Sequence, residues 1–236
     1  EPYTFSLAQN DFSLLEDEKW FLLSDKNFKS GDALPDAETL AEGVSKKWYP
    51  CDANYGIGQC SGPVMYLSPY DPDGDGAGYT QDDVDNGVYK DIVFGTGNWK
   101  PNWDPGFQSW LIPATDPYMD SYMTFSMDAV NGCVATMYRG ESGEKGSSTG
   151  ANMKGKFNMN LTEKTKPTIS FTDCYSMHNV NADDMCANYT QDIQIIELTP
   201  YILQLVTKRT NSEGNWYIVW NFVSEEVIET KRECIP

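Results

Sequence analysis

The sequence predicts an all-β fold, a two-sheet β-sandwich of jelly-roll type with one short helix. Three observations predict it. From Tyr122 onward, Met123, Phe125 and Met127 alternate with Tyr122, Thr124 and Ser126, the period of two that puts apolar side chains on one face of a strand. The second half of the chain is cut into short β-rich runs by clusters of Gly, Pro, Asn and Asp. Helix signals, by contrast, are scarce.

In chain order, the segment Phe12–Phe28 is apolar without a clean period and reads as mixed helix or strand. Residues 1–39 are expected to form an N-terminal extension packing on a single domain that spans 40–236. The one helix is expected over Asp36–Gly43, where Asp36 can cap the first turn, Glu38 suits its positive end and Gly43 can terminate it. Between Pro50 and Pro117 the chain is rich in Gly, Pro, Asp and Trp, too long and irregular for an ordinary connection, and loops of this kind often carry function. After the strand at Tyr122, further strands are expected at Cys133–Arg139, Asn152–Asn158, Thr168–Thr172, Ile193–Leu198, Ile202–Lys208 and Asn215–Val223. Thr210–Gly214 joins the last two as a hairpin link, and Trp216, Ile218, Trp220 and Phe222 share one face of its second arm, as a sheet core does.

With 17 basic and 35 acidic residues the net charge is −18, which repels a phosphate backbone and argues against a nucleic-acid partner. No run of 18 apolar residues exists, so no transmembrane segment is expected. Nor does a charged-then-apolar segment open the chain; the reading is a mature, exported form from which a signal or lipid anchor has been removed. The six cysteines, Cys51, Cys60, Cys133, Cys174, Cys186 and Cys234, include no Cys-x-x-Cys pair, which disfavours zinc. In an oxidising compartment Cys51 with Cys60 and Cys174 with Cys186 are near enough in sequence to clip loops, one choice among 15 connectivities.

Two constellations carry chemistry. Asp71, Asp73, Asp75, Gly76 and Asp82 reproduce the 1, 3, 5, 6, 12 spacing of a calcium loop, making structural Ca2+ the candidate cofactor. Position 12 is an aspartate instead of the longer bidentate glutamate, and no helix flanks the loop. The second constellation is Trp99, Trp103, Phe107 and Trp110 in a Pro/Gly-rich stretch, interleaved with Asn102, Asp104 and Gln108. Sugars present flat C–H faces ringed by hydroxyls, so indole planes beside amide and carboxylate groups suit a glycan. The competing reading of each is an Asp/Gly turn bearing solvated charge, and a satellite core under its own loop. Glycoside hydrolysis would need two carboxylates across a cleft; Glu141 and Glu144, or Asp82, Asp83 and Asp85, are available but nothing places them so. The single histidine, His178, lies in a polar stretch without a second histidine, and no phosphate-binding Gly-rich loop is present, so no catalytic residue is assigned.

Ser45-Lys-Lys-Trp48, Met123-Thr-Phe125-Ser-Met127-Asp128, Leu203-Gln-Leu205 and the run from Arg209 to Ser224 give the chain a resemblance to a Bacteroidetes surface-lipoprotein family that accompanies polysaccharide-utilisation systems. The resemblance implies a cell-surface β-sandwich, often following an immunoglobulin-like module. It further implies glycan binding without a catalytic motif, and other outer-membrane lipoproteins of the same uptake system as partners. Exported domains with an early Lys-Trp, a central Thr-Phe strand and a terminal Leu-x-Leu strand look lipocalin-like, which makes an up-and-down β-barrel the alternative architecture. The expected function is non-catalytic carbohydrate binding; a sandwich-type hydrolase or lyase and a structural module are the alternatives.

Overall fold

A computed structural model describes residues 15–51, 64–67, 121–138, 152–163, 167–174, 190–191, 193–211 and 214–233. Among these, nine strands run β1 (Val44–Pro50), β2 (Val64–Leu67), β3 (Tyr122–Asp128), β4 (Gly132–Tyr138), β5 (Asn152–Asn160), β6 (Thr168–Thr172), β7 (Ile193–Leu198), β8 (Ile202–Asn211) and β9 (Gly214–Ser224). Helices α1 (Lys19–Ser24) and α2 (Ala37–Glu42) precede them and α3 (Glu225–Glu233) follows.

The architecture is a closed barrel, not the two-sheet sandwich that the strand pattern suggested. Each strand from β3 to β9 pairs antiparallel with the next, β1 pairs with β3, and β1 also pairs with β9, closing eight strands on themselves. The short β2 continues the line of β1 along β9: Pro50 faces Phe222, the Cys51 N–H donates to the Asn221 carbonyl at 2.8 Å, and Val64 then takes up register with Trp220. Alternating strands joined in sequence order read identically in a sandwich and an up-and-down barrel; only the β1–β9 pairing, between chain segments far apart in sequence, decides.

Period-two alternation sets the two faces. Trp48, Met123, Phe125, Met127, Met137, Phe157, Phe171, Leu203, Leu205, Trp220 and Phe222 fill the interior with almost no exposed surface. Phe125 meets Phe157 edge-on at 5.1 Å, the arrangement that the aromatic quadrupole favours, and lies 6.2 Å from Phe171 with the rings inclined by 30°. An eight-stranded barrel is just wide enough to be filled this way. The helix expected over Asp36–Gly43 forms as α2: Asp36 accepts the Thr39 N–H at 2.9 Å and Gly43 ends it at φ 88°. The β8–β9 hairpin also forms as expected, with Asn211 opposite Gly214. Outside the barrel, α3 lays Val227 and Ile228 over Cys51 and Val223.

The cysteine pairing needs one correction. Cys51 is disulfide-bonded, whereas Cys174 is a free, buried thiol, as is Cys133, so the Cys174–Cys186 clip does not form. Burial explains it: Cys174 belongs to the barrel core, and its thiol lies 3.8 Å from the Lys156 carbonyl.

How Cys174 reaches the core shows the strictest steric demand in the fold. Asp173 adopts a left-handed conformation at φ 62°, turning the chain off the end of β6 and across the inner face of β5 at Gly155. A Cβ on Gly155 would lie 2.0 Å from the Thr172 carbonyl oxygen and 2.9 Å from the Cys174 nitrogen, both backbone atoms. Its cross-strand partner, Ala135, is likewise small. Gly155→Ala is expected to destabilise the protein by about 3 kcal/mol or more, measured by denaturant unfolding; a loss under about 1 kcal/mol would show that the β6 end can move aside.

Candidate functional site

The two ends of the barrel differ. At one end the strands are joined by residues 129–131, 161–167 and 199–201, and α1 lies against β1, β3 and β7. At the other end the connections are residues 51–63, 68–121, 139–151 and 173–192, with 212–213 the one short link.

The first end is a floor built by α1. Trp20, Phe21, Leu22, Leu23 and Ser24 are all buried, and Trp20 reaches Phe157 inside the barrel at 6.0 Å. The last carbonyls of a helix have no partner within it. Here two inward-facing side chains of β1 supply partners: Lys46 Nζ donates to the Leu22 carbonyl at 2.8 Å and Trp48 Nε1 to the Leu23 carbonyl at 2.9 Å. The Lys46 ammonium also lies 4.5 Å from the Trp48 ring, a cation–π contact. Burial pushes the Lys46 pKa down to about 8, with Lys29 adding to the shift and Glu226, Asp25 and Glu225 opposing it. From the other terminus, Glu226 pairs with Lys29 and Glu225 accepts the Lys47 N–H at 3.1 Å, so helix α3 is tied to the N-terminal segment and to β1.

The opposite end carries the candidate site. Leu67 and Tyr122, which bracket residues 68–121, both lie at this end: Leu67 faces Tyr217 near the start of β9, and Tyr122 faces Tyr138 at the end of β4. The predicted glycan residues Trp99, Asn102, Trp103, Asp104, Gln108 and Trp110, and the predicted calcium ligands Asp71, Asp73, Asp75 and Asp82, belong to this connection and lie outside the described residues. Glu141, Glu144 and His178, in other connections, also lie outside the described residues. Among the described residues, no cluster of three or more His, Cys, Asp or Glu could hold a metal ion, and no helix is long and apolar enough to cross a membrane.

A surface that periodicity alone did not single out lies on the outer wall beside this end. Tyr49, Tyr122 and Tyr138 form one row across β1, β3 and β4, with ring centroids 5.8 and 5.2 Å apart. The next row along the strands is Lys47, Thr124, Thr136 and Lys154, on β1, β3, β4 and β5 in register. The Lys47 ammonium sits 5.0 Å from the Tyr122 ring. The outward alternation of Tyr122, Thr124 and Ser126 was the visible signal, but the row exists only once three strands are in register.

Acid–base chemistry finds little support in the described part. Asp128 is slightly buried, which raises its pKa, but the Asn131 and Val130 amides, the Asn131 side chain and Lys156 outweigh this and hold it low. Asp36 is held low by the Thr39 amide and hydroxyl. Both carboxylates serve a turn or a helix cap, whereas a glycosidase acid needs its pKa raised. Burial pushes Cys133 up to about 12 and Cys174 up to about 11, so neither thiol is a nucleophile at neutral pH.

No protein-family model and no curated protein matches the chain.

The Lys46 shift has a measurable sign. Its folded pKa lies below the ordinary 10.5, so between about pH 8 and 10.5 the unfolded chain binds this proton more tightly and the Lys46 contribution to stability rises with pH. The limit is on the order of 3 kcal/mol. Wild type is therefore expected to gain stability relative to Lys46→Met between about pH 7 and 10, measured by urea unfolding at each pH. Taking the difference cancels Cys133 and Cys174, whose raised pKa values lower stability as the pH passes that of an unfolded thiol. A flat difference would mean that the ammonium is not desolvated.

Proposed function

We propose that the protein binds carbohydrate without catalysis at the bacterial cell surface, through aromatic and amide side chains of the 68–121 connection. The observation that carries this reading is the asymmetry of the barrel. Its interior is packed with side chains and one end is floored by α1, while residues 68–121 leave β2 at Leu67 and return to β3 at Tyr122 at the opposite end. Rigid scaffolds with long loops at one end commonly bind there. Trp99, Trp103 and Trp110 would stack on sugar faces while Asn102, Asp104 and Gln108 bond the hydroxyls, and Asp71, Asp73, Asp75 and Asp82 would hold a structural Ca2+ nearby.

Export is supported by the Cys51 disulfide, since such bonds persist in oxidising compartments. The resemblance to surface lipoproteins adds a lipid-anchored precursor and partner lipoproteins of one uptake system to the proposal. Affinity for a single exposed site would be weak, roughly 10 μM to 1 mM, because little area is buried and sugar hydroxyls are costly to desolvate.

Affinity electrophoresis against plant, microbial and host polysaccharides, with and without calcium, tests the reading. Trp103→Ala and Trp110→Ala are each expected to weaken retardation about tenfold with the melting temperature unchanged. Thermal destabilisation of both variants would mark these tryptophans as core, and reducing-sugar release from the panel would replace binding with hydrolysis.

A further inference from the structure

We infer that the outer wall of β1, β3, β4 and β5 is a second carbohydrate-binding surface, selective for anionic polysaccharide; this rests on the reading of the protein as a glycan binder and names the ligand class.

Charge distribution is the first argument. The chain has 35 acidic residues in 236, yet among the outward positions of β1, β3, β4 and β5 the one acid is Asp128, at the floor end, where the neighbouring turn and Lys156 neutralise it. The remaining outward positions are hydroxyl, amide, aromatic or lysine side chains, apart from Gly132 and Val134. Helix α3 borders the wall at β1, where Tyr49 packs against its Val227 and Ile228 cluster and Glu225 accepts the Lys47 N–H at 3.1 Å. Among the described residues of this wall, the lysines are therefore local positive charge, with Glu225 at the β1 edge the nearest acid to Lys47. Their field, not the net charge, governs a ligand in contact, because charges beyond about 8–10 Å are screened at physiological salt.

Geometry is the second argument. Lys47 and Lys154 stand at the two ends of one register row with Thr124 and Thr136 between them. Four adjacent strands at a spacing of about 4.8 Å place the two lysine positions about 14 Å apart. Acidic groups that recur along a polysaccharide can meet both ammonium groups at once. Beside that row the three tyrosine rings are held by one another at 5.8 and 5.2 Å and by the Lys47 ammonium, so their hydroxyls are already ordered. Stiff tyrosines lose little side-chain entropy on binding a ligand. A row of phenols next to a row of hydroxyls flanked by cations offers donors to an acidic sugar chain. A neutral chain would leave the two ammonium groups without a charge partner.

The test compares the full chain with the Lys47→Gln/Lys154→Gln double variant by isothermal titration at low and near-physiological salt. The probes are polygalacturonate, which carries carboxylates, dextran sulfate, which carries sulfate esters, and neutral dextran. At least one polyanion is expected to bind about tenfold tighter than dextran, the double variant to lose that margin, and added salt to reduce it. Lys154→Gln alone, at an exposed position, should lose part of the margin with an unchanged melting temperature, which separates recognition from folding. Equal binding of dextran and both polyanions, or polyanion binding unmoved by the double variant, overturns the inference. If Trp103→Ala still abolishes that binding, the loop site stands without the wall. Absence of binding to any polysaccharide removes both.

Discussion

Everything in this fold depends on β1 being hydrogen-bonded along both edges. Trp48 stands opposite Met123 on one side and Ser224 on the other, so a seven-residue strand joins the start of the meander to its end. The same strand turns Lys46 and Trp48 inward to satisfy the last carbonyls of α1. A β-sheet edge left open is a row of unpaired donors and acceptors, and barrel closure removes it. Closure and floor are thus one event: without β1 seated, the barrel has an edge, α1 loses two hydrogen bonds, and the core opens at Trp48. Burying a lysine here is the cost, visible as the depression of its pKa to about 8.

Closure also sorts the connections. Antiparallel strands in sequence order send alternate links to opposite ends, and here residues 129–131, 161–167 and 199–201, all short, share the floor end with α1, while 212–213 is the one short link at the other end. Long loops at that end would have to compete with the helix for space. At the other end nothing among the described residues imposes such a limit. Among the described residues the barrel interior leaves no room for a ligand, since it is occupied by Phe125, Phe157, Phe171, Trp220 and their neighbours.

Much of the strand inventory was legible in the residues because β3 to β9 keep a two-residue period or run apolar between turn signals. Strands β1 and β2 were not. In β1 a lysine occupies an inward position, which breaks the alternation, and β2 is four residues in a Pro- and Gly-rich stretch. The helix α1 hid for a different reason: a helix buried on most sides shows no amphipathic period, and Trp20 to Ser24 are all buried. The signal for α3 was present in Ser224 followed by Glu225 and Glu226, acidic residues at a helix start, then Val227 and Ile228. Barrel closure leaves no local trace, because the β1–β9 pairing joins distant parts of the chain; the up-and-down barrel that the structure bears out entered only as the alternative architecture, through the likeness to lipocalin-like exported domains. The aromatic loop and the acidic loop were legible as composition only, whereas the tyrosine and lysine rows needed register to exist.

The end of β6 links the packed interior to the end of the barrel opposite the floor. A connection that began at the rim would have its first residues held only by the surface. Residues 173–192 instead start from Cys174, whose side chain is in the core, after Asp173 has turned left-handed over Gly155. Close approach of two backbones fixes that starting point more firmly than side-chain packing alone, because neither chain can shift without the other. Return is equally defined: the Phe171 N–H donates to the Thr190 carbonyl at 2.7 Å and the Gln191 side chain to the Phe171 carbonyl at 3.3 Å. The connection therefore leaves over Gly155 of β5 and returns to Phe171 of β6, so its two feet stand on adjacent strands of the barrel. A binding surface gains most when its supports are rigid before the ligand arrives, since less ordering is left to do. The glycine at 155 and the small alanine beside it are what make that support sterically possible.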